Sequence, residues 1–355
     1  KGPMSLIYTG DATGGLLYLK DGSFAAQNSY SVDVNTQFET ASLGSQNSVV
    51  YKLSGKKLRM SAAGIFSSYA DYKLPNGRFL SDSRMQDLGG KFKLGYNSGK
   101  WNFVLNYLYS NSTVGIPGHT HDVNPLAESF MVDYQERDYS LPHQKIENHF
   151  GNIKASYFIN SKNKMEFYVN HGYNNLAEYA EKIFTPAIDM YLNSSSVQAR
   201  HHWNPNKRLQ LLSGIQTILE TNDNGLDAEE RLIEDSDQYD LGLYSSLSYD
   251  LKGVKLNAVL RFDNRSIRSA DFSGDYPNVN AAFGLRKQWE GESIKDLSAH
   301  LSSGTRAPHL SELLSDGVHH GEVRYELGDQ NLKSERFVQL DINYEFSNDH
   351  FSLMF

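Results

Sequence analysis

The chain has 355 residues, a formal charge of −8, no cysteine, 22 tyrosines and 3 tryptophans. Mean hydropathy is −0.53, and no apolar run reaches the ~20 residues that a membrane-spanning helix needs. The acidic balance and scattered lysines exclude nucleic acid as a natural partner, and the lack of thiols suits an oxidising compartment.

In chain order, the first feature is KGPMSLIYTGDATGG, residues 1–15. Its glycines at 10, 14 and 15 allow tight turns and close backbone approach. From about Ser31 a different rhythm begins. Alternating apolar and polar segments of roughly 10 residues are joined by connections that are short, then long, then short again, the pattern of a transmembrane β-barrel.

Three segments show the alternation plainly. In 101–110 one face carries Trp101, Phe103, Leu105, Tyr107 and Tyr109, against Asn102, Asn106 and Ser110. In 254–263 Val254, Leu256, Ala258, Leu260 and Phe262 oppose Lys255, Asn257, Val259, Arg261 and Asp263. In 338–346 Val338, Leu340, Ile342, Tyr344 and Phe346 oppose Gln339, Asp341, Asn343 and Glu345. Successive strand side chains point to opposite faces, so each segment has one greasy and one wet side. A soluble β-sandwich gives the same alternation.

The connections separate the two folds. Short turns are predicted at Asn97–Lys100, Ser161–Lys164, Asn204–Lys207, Lys252–Gly253, Glu290–Ser293 and Ser347–His350. Long polar loops are predicted at about 74–86, 112–145, 180–190, 221–237, 264–279 and 305–334. Compact soluble domains rarely carry so many long loops; an outer-membrane barrel does, all on one side. Trp101, Trp203 and Trp289 each adjoin a short turn. All three therefore fall at one rim, where tryptophan favours the membrane–water interface.

Two segments carry a family resemblance. Lys1, Gly2, Pro3, Ser5, Tyr8, Gly14 and Gly15 resemble the K-G-P-x-S-x-x-Y-G-x-x-x-x-G-G end of the plug domain in TonB-dependent outer-membrane receptors, with Thr9 in place of the middle glycine. Near the other end, Arg306, Ala307, Pro308, Glu312, Leu313, Gly328, Asn331, Leu332, Lys333 and Glu335 resemble that family's R-A-P … N-L-K-x-E loop. Thr305 replaces the usual aromatic and Ser334 the usual proline.

The resemblance implies an all-β fold: an antiparallel transmembrane barrel of 22 strands around an N-terminal plug. The periodicity accounts for about fourteen strands plus a start at 351, so the chain is expected to be cut at both ends. Residues 1–28 are then the plug's C-terminal end and linker, and 29–355 a partial barrel. The implied setting is the outer membrane of a Gram-negative bacterium, with outer-membrane lipid and the TonB–ExbB–ExbD energising complex as partners.

Histidine is the chemical handle on cargo. Of 12 histidines, His119, His121 and His143 fall in the 112–145 loop, and His309, His319 and His320 in the 305–334 loop. Asp122, Asp316 and Glu322 lie close by in sequence. Imidazole with carboxylate is the donor set of zinc and other borderline divalent metals, so His119, His121, Asp122, His319, His320 and Glu322 are the candidate metal ligands. Elsewhere, His171 falls on the lipid-facing set and His300 on the lumenal set.

Within the family two cargoes fit these loops: a free divalent metal, zinc first, or haem, for which one axial histidine from His319 or His320 suffices. A ferric siderophore is a third. Zinc or haem would be transported cargo, and no resident cofactor is expected. No H-E-x-x-H, no G-x-S-x-G and no Ser/His/Asp set is present, which points away from an enzyme. A passive porin would lack the plug motif, and a secreted β-sandwich adhesin would lack the tryptophan rim as well.

Overall fold

In the computed structural model all residues are described except 1–2, 12–16, 18–21, 118–126, 290, 292, 320–323, 349 and 355. Fifteen strands form one antiparallel meander, each bonded to its neighbours in sequence. They are β1 (Ser29–Glu39), β2 (Gly44–Ser54), β3 (Leu58–Tyr69), β4 (Met85–Asn97), β5 (Trp101–Gly115), β6 (His143–Asn160), β7 (Asn163–Tyr179), β8 (Ile188–Trp203), β9 (Leu209–Asn224), β10 (Ser236–Leu251), β11 (Val254–Ser269), β12 (Ser273–Trp289), β13 (Ile294–Arg306), β14 (Glu335–Ser347) and β15 (Ser352–Met354).

The alternation sets the two faces. Along β10, Gly242, Tyr244 and Ser246 are buried inward while Leu243, Ser245 and Leu247 are exposed outward. Along β14 the outward Val338, Leu340 and Ile342 are 76%, 63% and 62% exposed, the mark of a surface that lipid rather than protein covers. A slip of one residue would turn each strand inside out, so this pattern also fixes the register.

Two outward aromatic belts bound the greasy band. At the short-turn end Trp101 stacks on Tyr157, ring centroids 4.5 Å apart, and Trp203 and Trp289 close β8 and β12 at the same end. At the other end Tyr109, His149, Tyr173 and Tyr191 run across β5 to β8 with centroids 5.1, 5.7 and 6.4 Å apart. From Trp101 to Tyr109 is eight residues, roughly 27 Å along the strand, the scale of the ~25 Å apolar band of a bacterial barrel.

The strands do not stop at the upper belt. β6 has 18 residues, not the roughly 10 expected. Above the belt its outward positions turn polar, with Glu147 in register beside Asn111 of β5 and Asn175 of β7. One predicted loop is overturned for that reason. Residues 264–279 are strand: β11 and β12 stay paired up to Arg268–Ser273 and only 270–272 turn. Their outward residues Asn264, Ser266 and Asp275 are polar because the ladder has left the membrane, so polarity there imitates a loop.

Otherwise the predicted rhythm holds. One end carries 55–57, 98–100, 161–162, 204–208, 252–253, 290–293 and 348–351; the other carries 40–43, 70–84, 116–142, 180–187, 225–235, 270–272 and 307–334. At the two-residue turn after β10, Lys252 and Gly253 have φ of 52° and 84°, the doubly left-handed pair of a type I′ hairpin.

The long connections are built, not slack. Tyr72–Lys73, Phe79–Leu80 and Met131–Val132 form a three-stranded sheet joining 70–84 to 116–142. Beneath it Arg84 forks onto Asp71 at 2.9 and 3.0 Å and reaches Glu136 at 3.0 Å. Connection 307–334 holds a helix, Leu310–Leu314, and a hairpin of Asp316–His319 with Arg324–Leu327.

Candidate functional site: the plug tail in the lumen

Residues Pro3–Ile7 form a 3-10 turn on the inner face of β10 to β13. Leu6 and Ile7 are buried against Tyr244, Val259 and Ala282. That contact explains Val259, an apolar residue among Lys255, Asn257, Arg261 and Asp263 on the wet face of its strand: it is a floor for the N-terminal segment. Arg200 donates to the Tyr244 hydroxyl at 2.9 Å and lies 5.0 Å from the centre of the Tyr8 ring.

Polar contacts then fasten the backbone as it climbs. Arg261 donates to the Leu6 carbonyl at 3.2 Å and is held by Asp263 at 2.8 Å and by Gln216 at 3.2 Å. Asn280 donates to the Gly10 carbonyl at 3.4 Å and accepts from Thr305 at 2.9 Å. Gly10 makes room for the Asp263 side chain: a Cβ there would sit 2.3 Å from Asp263 Oδ2 and force the carboxylate to move. Asp11 takes Arg265 Nη2 at 2.7 Å and the Ala307 N–H at 3.4 Å. Arg265 also bridges Asp240, 2.9 Å away. A cavity of about 80 Å³ remains between Asp11, Asp240, Asp263 and Asn278.

Farther along, the chain also meets β3 and β4. Phe24 lies between Arg59 and Lys93, 4.8 and 4.6 Å from its ring centre, and Lys93 donates to the Gly22 carbonyl at 2.9 Å. Residues 3–11 on β10 to β13 and 22–24 on β3 and β4 thus reach both sides of the inner face before β1 begins.

The second motif is a charge knot. Arg306 forks onto Glu312, both contacts 2.9 Å, and onto Glu335 at 3.0 and 3.1 Å. The Arg306 guanidinium holds the Glu312 carboxyl below its ordinary range. Gly328 belongs to the knot by shape, since a Cβ would stand 2.6 Å from the Leu313 backbone. Ala307, next to Arg306, is the residue whose N–H reaches Asp11, so the knot touches the plug tail directly.

The predicted metal ligands fare differently. His119, His121, Asp122, His320 and Glu322 lie outside the described residues. The His319 backbone pairs with Arg324 at the end of its hairpin strand. Asp316 accepts from the Tyr325 hydroxyl. Two loop histidines have structural roles. His309 caps the Leu310–Leu314 helix; His143 is buried, bonded to the Ser140 carbonyl at 3.0 Å and stacked 5.1 Å from Tyr179. Among the described residues no group of three or more His, Asp or Glu side chains is placed to hold a metal ion.

Sequence reasoning singled out the opening motif but not the strand residues that hold it. Arg261, Asp263 and Arg265 alternate in charge on one face of β11, and that spacing, with Val259 below, was the available signal. His171 faces outward onto Ser195 and His300 falls in register with Gly284 on the lumenal face, both as expected.

These features define a transmembrane β-barrel fold with the N-terminal segment lying on its inner face. The chain matches the family described as TonB dependent receptor-like, beta-barrel over residues 18–355, and it belongs to that family. Solved structures of similar fold include the siderophore receptor PirA from Acinetobacter baumannii, with a TM-score of 0.74 at 12% identity, covering 100% of this chain and 55% of that one. The ferric enterobactin receptor PfeA from Pseudomonas aeruginosa, in a mutant form, gives 0.73 at 14%, covering 99% and 55%. The copper transporter OprC gives 0.70 at 13%, covering 93% and 53%. The chain thus spans little more than half the length of these relatives. No curated protein sequence matches it.

Proposed function

We propose that this chain is the plug end and much of the barrel of an energised outer-membrane receptor that imports a scarce metal or metal complex. The carrying observation is the plug tail docked in the lumen by Arg261, Arg265 and Asn280. A lumen obstructed by its own plug cannot pass cargo by diffusion. Delivery then needs work from outside the barrel, and the TonB–ExbB–ExbD complex is the partner that this family reading supplies. The protein acts as a transporter, with no chemistry performed on the cargo.

Relatives named for copper, iron, ferric enterobactin and siderophores support the metal class. They do not favour zinc. Zinc rests on the histidine and carboxylate content of 112–145 and 305–334 alone, with haem or a ferric siderophore as the alternative. The test is uptake by whole cells carrying the full-length receptor, with zinc, ferric siderophore and haem in competition. Each is measured with and without the energising complex. Uptake that survives loss of the complex makes the protein a porin; no uptake of any of the three removes the metal reading.

A further inference from the structure

Five of the seven short turns form a basic stretch of rim, while 290–293 and 348–351 carry Glu290, Glu292 and Asp349. From β2 to β11 five consecutive turns at that end carry Lys56, Lys57, Lys100, Lys162, Lys207 and Lys252, and none of the five contains a carboxylate. All six side chains belong to exposed residues. Asp250, two residues before Lys252, accepts from the Gly253 N–H at 3.0 Å. The opposite end is the reverse: 225–235 alone holds Asp227, Glu229, Glu230, Glu234 and Asp235. Across these five turns the side-chain charge is of one sign.

Their depth is informative. Lys100 immediately precedes Trp101, and Lys207 follows Trp203 by four residues, so the lysines stand just beyond the aromatic belt. On β12 Lys287 stands two residues before Trp289, on the membrane side of the belt, 5.1 Å from the centre of its ring. Aromatic belts mark the level where acyl chains meet headgroups. A cation one or two residues farther out stands at the level of lipid phosphate. Consecutive turns are two strands apart, about 10 Å along the rim. This is an arc of evenly spaced single charges with no concave pocket, which suits a sheet of headgroups better than a folded partner.

We infer that this rim binds anionic phospholipid headgroups, the phosphoglycerol type, in the leaflet that the short turns face. The inference rests on the membrane reading above and adds a lipid preference to it. Each lysine near an anionic surface contributes about fivefold in binding, and the attraction is screened by salt. The role would be to fix the depth and tilt of the barrel while force is applied to the plug.

The full-length receptor in detergent is mixed with equal amounts of phosphatidylglycerol and phosphatidylethanolamine, and retained lipid is counted by native mass spectrometry. Folding is read separately from heat-modifiable migration. Wild type should retain roughly tenfold more phosphatidylglycerol at about 0.05 M salt and lose that preference near 1 M. Replacing the six lysines by Gln should abolish the preference, and replacing them by Arg should keep it. A folded wild type with no preference overturns the inference and leaves the barrel standing. So does a preference that persists at high salt, or in the Gln variant. If the Gln variant does not fold, the wild-type salt series decides alone. A wild type that is not heat-modifiable overturns the barrel reading itself, and the lipid preference with it.

Discussion

Arg265 of β11 places its Nη2 2.7 Å from Asp11 Oδ2 and 2.9 Å from Asp240 Oδ2. One guanidinium thus ties the plug tail to the barrel wall. Replacing Asp11 with Ala should loosen the tail while leaving the Arg265–Asp240 pair intact, at a cost of about 1.5–3 kcal/mol for a lost charged hydrogen bond. Arg265→Ala should be worse, because it leaves two carboxylates facing each other. Entry of a large antibiotic that normally cannot cross the outer membrane should rise in the order wild type, Asp11→Ala, Arg265→Ala. Equal exclusion in all three would mean that the latch does not hold the plug.

The faces of β11 give a paired test. Leu256 is outward and Asn257 inward, in register with Leu285 and Gly284 of β12. Leu256→Arg should cost about 2–4 kcal/mol of barrel stability, the penalty for a cation near the bilayer midplane, while Asn257→Arg should cost far less. Urea unfolding of the two variants in lipid vesicles measures the difference, and equal stabilities would count against a lipid-facing Leu256.

Arg84 is 2% exposed and Asp71 0%. Removing the arginine strands a buried carboxylate, for which about 3–5 kcal/mol is expected. Arg84→Ala should free 70–84 and 131–142 from each other while the barrel stays folded. Limited proteolysis should then cut both connections early. If cleavage is unchanged, the small sheet of 72–73, 79–80 and 131–132 holds the loops without the ion network.

His143 supplies a pH dependence. Burial holds its imidazole below the usual 6.5, so the folded loop base binds a proton less readily than the unfolded chain. Its stabilisation is therefore complete above 6.5 and is lost as pH falls through that value toward the lowered one. Hydrogen exchange near Ser140 and Tyr179 should speed up between about pH 7.5 and pH 5.5, and His143→Phe should flatten the dependence. Acceleration that survives the substitution would assign it to another group.

Much of this fold was legible because a barrel strand writes its two solvents into alternate residues. Leu243, Leu247, Leu260 and Phe283 all appear on the greasy side where the alternation puts them, and each is exposed there. Where both faces meet water the signal fades, and β11 and β12 above Phe262 therefore read as loop. The latch was illegible for a different reason. Asp11 and Arg265 are joined only by folding, and nothing local to either residue announces the other. The Arg306 motif was visible as a motif, yet its physical sense needed the three-dimensional meeting of Arg306, Glu312 and Glu335. The cargo ligands stay a matter of sequence, because five of the six lie outside the described residues and the His319 side chain does too.

Those ligands carry the last prediction. His119 and His121 belong to the connection between β5 and β6, and His319 and His320 to that between β13 and β14; both connections are at the long-loop end. Neither holds a closed tetrahedral set alone, so a metal site would draw on both. Only neutral imidazole coordinates, so zinc affinity should fall as pH drops through about 6.5. The quadruple alanine variant, assayed separately with zinc and with haem, separates the cargo readings. Loss of zinc with haem retained supports a metal site, and loss of haem alone, traced to His319 or His320, supports an axial ligand. Retention of both would reduce these histidines to solvated loop residues and move the search for cargo contacts to the lumen, where Asp11, Asp240 and Asp263 line the small cavity above the plug tail.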